Sequence, residues 1–183
     1  RFRLEGRDLT STLDVTPYRY LCGGQLTNCV PQPGVERRLD AQGDKIMPRL
    51  VYRNVGGRES LVAVHSVDTA AGGGGVRWYE LRLDASGDPH LHQQGTYAPD
   101  GAYRWIASPA IDRMGNIAIA YSFGDASHFP GQRVAARLAD DPKGELTFRE
   151  TVLVEGEAAQ TATLRWQDYT QTAMDPVDDC AIW

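Results

Sequence analysis

The sequence predicts an all-β fold made of four-stranded antiparallel repeats of about 60 residues, an incomplete β-propeller. Three observations carry this. Short runs rich in β-branched and aromatic residues recur along the 183 residues, several alternating apolar and polar with period two. Gly, Pro, Asp and Asn punctuate them, and no window shows an apolar stripe at helical spacing. The runs also recur in a fixed order. Asp112 and Asp175 stand 63 residues apart, and the pairs Arg104-Trp105 and Arg165-Trp166 stand 61 apart.

Residues 1–40 are expected to be the outer strands of a first blade. Residues 41–100 supply a full blade. It has a strand at 49–52, a glycine hairpin at Asn54-Val55-Gly56-Gly57, strands at 60–65 and 76–83 joined by a long loop, and a fourth strand near 92–97. Residues 101–160 repeat the order, with strands at 107–112, 117–122, 133–138 and 146–154. In 133–138, Val134, Ala136 and Leu138 share one face while Arg133 and Arg137 share the other. Residues 161–183 begin a further blade with strands at 172–175 and 180–183. This is about three blades, and closure takes about four to eight. The chain therefore reads as a piece of a larger ring or a unit that pairs with copies of itself. A stacked sandwich is the structural alternative. The start at Arg1 and the stop at Trp183, inside a strand pattern, suggest a piece of a longer protein.

Composition narrows the partners. With 19 basic and 24 acidic side chains the net charge is -5, which argues against nucleic acid or an anionic membrane surface. The longest apolar stretches, 61–64 and 117–121, are far too short to span a bilayer as a helix. Cys22 and Cys29 bracket a turn-rich segment, where a local disulfide is sterically easy and would suit an exported protein; two thiols are the alternative. Cys180 is left over, either as a buried thiol or with a partner outside these residues. No nearby Cys or His completes a zinc set. No cofactor is expected: the glycines at 72–75 are not followed by the Lys-Ser/Thr of a phosphate loop.

The segment Arg165-Trp166-Gln167-Asp168-Tyr169, followed by Asp175-Pro176-Val177-Asp178-Asp179-Cys180 and Trp183, gives the pattern RWxDYxxxxxDPxDDCxxW. It resembles a group of secreted bacterial repeat proteins, and further matches run from 29–34 through 94–100. That group looks like propellers of the sialidase type, with BNR (Asp-box) repeats. The resemblance implies an extracellular location, secreted or at the cell surface, and a partner for Cys180 beyond residue 183. Ile111-Asp112-Arg113-Met114-Gly115-Asn116 keeps only the Asp and Gly of an Asp-box. In that family such an Asp holds the hairpin turn, so Asp112 and Asp175 read as turn builders.

In a propeller the segments entering each first strand converge on one face. Here that rule gathers Asp44, Lys45 and Arg49, then Tyr103, Arg104, Trp105 and Ser108, then Arg165, Trp166, Asp168 and Tyr169. The loops would add Asp68, Asp125 and His128. Arg49, Arg104, Trp105, Arg165, Trp166 and His128 are the candidate ligand-binding residues, because guanidinium groups fork onto carboxylates and Trp faces stack on sugar rings. The competing reading of the Arg-Trp pairs is packing between blades with cation–π contacts. A sialidase-like hydrolase needs an arginine cluster, a tyrosine nucleophile paired with a glutamate, and an acid. Tyr169 or Tyr103 and Asp168 would serve, although no glutamate is evidently placed beside either tyrosine. His90 and His92 sit by a surface turn and His65 ends a strand; none is expected to bind metal. Asp175, Asp178 and Asp179 lack EF-hand spacing. The sequence thus points to an exported binding or scaffolding module, with carbohydrate as the ligand class. A glycoside hydrolase and a self-assembling structural protein are the alternatives.

Overall fold

In the computed structural model, which describes residues 12–24 and 28–183, antiparallel strands follow one another along most of the chain. The chain is all-β apart from one short 3-10 turn at Leu21–Gly24. β1 (Asn28–Gln32) and β2 (Val35–Asp40) form a hairpin. β3 (Val51–Val55), β4 (Arg58–Asp68), β5 (Gly74–Leu83) and β6 (Pro89–Tyr97) form a four-stranded meander in chain order. β7 (Tyr103–Ile111), β8 (Ile117–Gly124), β9 (Gly131–Arg137) and β10 (Phe148–Val154) form a second. The expected outer strands within residues 1–11 and 25–27 lie outside the described residues.

Turn chemistry fixes the register of each hairpin. Between β3 and β4 the pair Val55–Arg58 leaves a two-residue loop, and Gly56 and Gly57 both take positive φ, 59° and 86°. Only glycine does this without strain, and the resulting turn follows the natural twist of the strands. Between β7 and β8 the Asp112 carboxylate accepts hydrogen bonds from the backbone N–H groups of Met114 (2.8 Å) and Asn116 (2.9 Å). Asp175 likewise accepts from the Val177 N–H at 2.7 Å and the Trp183 indole at 3.2 Å. Both are turn builders.

The two meanders pack together through β7, which lies against β3, β4 and β5. Period-two alternation puts Val62, Val64, Val76 and Trp78 on the inner face of the first sheet, and they join Trp105, Ile117, Ile119 and Tyr121 in one core. Nothing closes into a ring: the described residues make two four-stranded sheets and a two-stranded hairpin.

The segment after residue 160 does not build a third sheet. It forms a hairpin with a single bridge, Met174–Ile182, and straps the other parts together. The Thr172 N–H and hydroxyl bond Ser108 (2.9 and 2.8 Å), Asp40 N–H donates to the Leu164 carbonyl at 2.9 Å, and Asp179 pairs with Arg53 on β3.

One backbone feature recurs. Gln42, Ile106 and Gln167 all adopt left-handed φ, 45°, 48° and 58°. The residue before each, Ala41, Trp105 and Trp166, packs into or against the core. At Ile106 this breaks the β7–β8 register between Trp105 and Ser108, and a β-branched residue there is strained. Trp105 and Trp166 are thus each followed by a left-handed residue.

Candidate functional site

The predicted ligand residues separate into two environments. Arg104 and Trp105 lie in the core. The Arg104 side chain has no exposed surface. Its guanidinium donates to both Asp100 oxygens (2.8 and 3.0 Å) and both Glu150 oxygens (2.6 and 3.2 Å). Glu150 also accepts from the Tyr121 hydroxyl at 2.6 Å and from Arg133 at 3.1 Å. The Arg133 guanidinium lies 3.6 Å from the Phe123 ring centroid. Burial alone would raise the Glu150 carboxyl, but the hydrogen bonds from Arg104 and Tyr121 and the Arg104 charge outweigh it and hold the group below its ordinary range. Burial, reinforced by Glu150, pushes the Tyr121 phenol far up. Arg104 is therefore a buried strut between β7, β10 and the turn at Asp100. Trp105 is fully buried, and its indole nitrogen has no hydrogen-bond partner.

The other predicted residues are at the surface. Arg165 grips Asp168 through two contacts of 2.7 Å, and Gln42 donates to the same carboxylate at 2.7 Å. Tyr169 is half exposed. Arg49 donates to Gln171 at 2.6 Å, which brings it beside this segment. His128 stands apart on the β8–β9 loop, its ring 2.9 Å from Asp125. Among the described residues no group of three side chains is placed to hold a metal ion.

Trp166 opens onto a cleft of about 360 Å³ that the sequence did not reveal. Gln132, Glu155, Glu157 and Gln167 line it with Trp166. The Gln132 amide donates to the Gln167 carbonyl at 3.3 Å, as do the hydroxyls of Ser122 and Thr170. The floor requires glycine: a Cβ on Gly156 would come within 2.2 Å of the Pro130 carbonyl, and one on Gly131 within 2.5 Å of the Val154 carbonyl. Nothing about isolated glutamines and glutamates marks such a cleft in the sequence. Tyr121 and Glu150 were missed as a pair because the contact joins strands 29 positions apart.

His65 is buried, with Nε2 2.9 Å from the Tyr79 hydroxyl and the rings stacked. Arg77 on β5 and Tyr18 and Tyr20 on the N-terminal segment also face it. Burial, then the Arg77 charge, pulls the imidazole down from 6.5 to about 4. The unfolded chain takes up a proton near pH 6.5 and the folded chain does not until about pH 4. Stability is therefore lost as pH falls through that window. Urea unfolding should show a loss of about 2–3 kcal/mol from this group between pH 7.5 and 4.5. His65→Gln should lose that much less over the same range; parallel profiles would contradict a buried neutral histidine.

Cys22 and Cys29 form a disulfide, with Cα atoms 6.1 Å apart, and Cys180 is an exposed free thiol. Among the described residues no helix is long and apolar enough to cross a membrane. No protein-family model matches the sequence, and no curated protein or solved structure matches it.

Proposed function

We propose that this chain is part of a β-propeller of the sialidase-like (BNR) type and works outside the cell as a carbohydrate-binding module, through the cleft beside Trp166. The observation that carries the reading is the composition of that cleft: an indole, two carboxamides and two carboxylates around about 360 Å³. A sugar ring has one apolar face and an edge of hydroxyls. An indole suits the first, and amide and carboxylate oxygens suit the second. The propeller reading is supported by two successive four-stranded meanders joined through β7 and by the left-handed residue repeated at 42, 106 and 167. The Cys22–Cys29 bridge supports an oxidising compartment.

The charges favour a neutral or amine-bearing sugar over an acidic one. Glu155 and Glu157 line the cleft, Glu155 paired with Arg133 at 3.3 Å and Glu157 adding a second carboxylate, while Arg104 is taken by Asp100 and Glu150 and Arg165 by Asp168. A glycan array carrying neutral, amino and acidic sugars tests this. Signal is expected on the first two classes and should disappear in Trp166→Ala. Signal confined to acidic glycans, or none, overturns it.

The hydrolase reading keeps one favouring observation, a Tyr121–Glu150 pair beside Arg104 and Arg133. Tyr121 is fully buried, which denies it to a substrate. The remaining candidates for acid and nucleophile are Asp168 and Tyr169. Turnover of aryl glycosides that falls by orders of magnitude in Asp168→Asn would establish that reading.

A further inference from the structure

Three Asp-Pro peptide bonds occur in the chain, at 88–89, 141–142 and 175–176. Such a bond carries its own nucleophile, because the aspartate carboxylate can close a ring on its own main-chain carbonyl carbon. Proline is the better leaving group, since its tertiary amide releases a basic secondary amine. The three sites differ in how the carboxylate is held. At Asp141 it accepts from the Leu138 N–H at 2.7 Å and from the Thr147 hydroxyl. At Asp175 it accepts from the Val177 N–H and the Trp183 indole. Attack at either site would first break those bonds. Asp88 is exposed, and its carboxylate makes no hydrogen bond among the described residues.

The turn between β5 and β6 presents the 88–89 bond. Leu83 at the end of β5 pairs with Pro89 at the start of β6. Between them the Asp84 carboxylate accepts from the Ser86 and Asp88 N–H groups at 2.8 and 3.0 Å. The Asp84 N–H donates to the Asp88 carbonyl at 3.0 Å. The carbonyl of the 88–89 bond therefore meets a donor where negative charge would develop on attack. His90 follows the proline directly. The N–H groups of Asp88 and Ser86, and after them the His90 charge, hold the Asp84 carboxyl below its ordinary range, which sets the imidazole at the same turn. Arg82 on β5 stands opposite His90, and Asp84 and Asp88 are the carboxylates beside it. No histidine lies within two residues of the other two bonds.

We propose that this turn cleaves its own backbone between Asp88 and Pro89. The Asp88 carboxylate attacks its main-chain carbonyl carbon and the C–N bond to Pro89 breaks. The His90 imidazolium gives its proton to the departing Pro89 nitrogen. Asp88 is left as a cyclic anhydride. Water opens it to two carboxylates, and of the two protons released one returns to His90 and the other charges the new proline terminus. The reaction is favoured near about pH 5.5, where an ordinary carboxyl is ionised and an ordinary imidazole is protonated. β6 stays paired with β5 along its length, so the two pieces remain one particle until denatured. The Cys22–Cys29 disulfide lies wholly in the first piece and does not join them. The proposal does not depend on the carbohydrate reading.

Incubation of the full chain with protease inhibitors at about pH 5.5 and about pH 8, followed by denaturing mass spectrometry, tests it. Fragments 1–88 and 89–183 are expected, formed at least about tenfold faster at the lower pH, with the other two Asp-Pro bonds intact. Hydroxylamine should capture the anhydride as a hydroxamate at Asp88. Asp88→Ala should abolish the cut, and His90→Gln should slow it at least about tenfold. Both substitutions fall on exposed turn positions, so the fold is retained. No cut, equal cutting at all three bonds, cutting that persists in Asp88→Ala, or an unchanged rate in His90→Gln would each overturn the proposal.

Discussion

Replacing Arg104 with methionine will destabilise the fold by about 3–5 kcal/mol, the largest loss expected of any single polar substitution in the chain. The guanidinium bonds two carboxylates, Asp100 and Glu150, and Glu150 in turn holds Tyr121 and Arg133. Without it Glu150 stays buried with only Tyr121 and the peripheral Arg133 for partners. Asp100 is more than half exposed and can turn to water, so its loss of a partner costs little. The penalty therefore comes from Glu150. Arg104→Lys should recover only a small part, because a point charge cannot fork onto two carboxylates at once. The double variant Arg104→Met, Glu150→Leu should regain part of the loss, since no buried carboxylate is left uncompensated, although the buried Tyr121 hydroxyl then loses its acceptor. Urea unfolding of the four proteins decides it. A loss under about 1 kcal/mol in Arg104→Met would mean that the guanidinium is solvated and available to a ligand.

Trp105→Ala will cost a similar amount, about 3–5 kcal/mol, for a different reason. Trp105 is among the largest fully buried side chains and sits where β7 packs on the first sheet. Its removal leaves a cavity in the core shared by the two meanders, which is closely packed with other fully buried side chains such as Trp78 and Ile119. Trp166 shares the left-handed residue that follows but is only partly buried. Trp166→Ala should therefore lose clearly less than Trp105→Ala by the same unfolding measurement. Equal losses would contradict the division of the two indoles into core and cleft. That difference also makes Trp166→Ala a usable binding variant.

The strands were legible because each meander obeys local rules. Alternation in 60–65 and 133–138 and the glycine turn at Gly56 and Gly57 specify register without reference to anything distant. Asp112 was legible as a turn builder for the same reason. Arg104 was ambiguous because its meaning depends on Glu150, 46 residues away, and no periodicity in β7 records what β10 will bring. The cleft was invisible for a related cause. Gln132 and Gln167 are ordinary polar residues until the strap after residue 160 lays one amide against the other. The third repeat reads as a strand pair in sequence, and its hairpin does form. The segment also satisfies part of its backbone on Ser108 and Asp40.

The cleft beside Trp166 is where the account is most exposed. Calorimetric titration of the glycan selected on the array, run in parallel on the wild type, Trp166→Ala and Gln132→Ala, addresses it directly. A single site is expected, with affinity at least about tenfold weaker in each variant while both keep the wild-type circular dichroism. Undiminished affinity in Trp166→Ala would place the sugar elsewhere on the molecule and contradict the account.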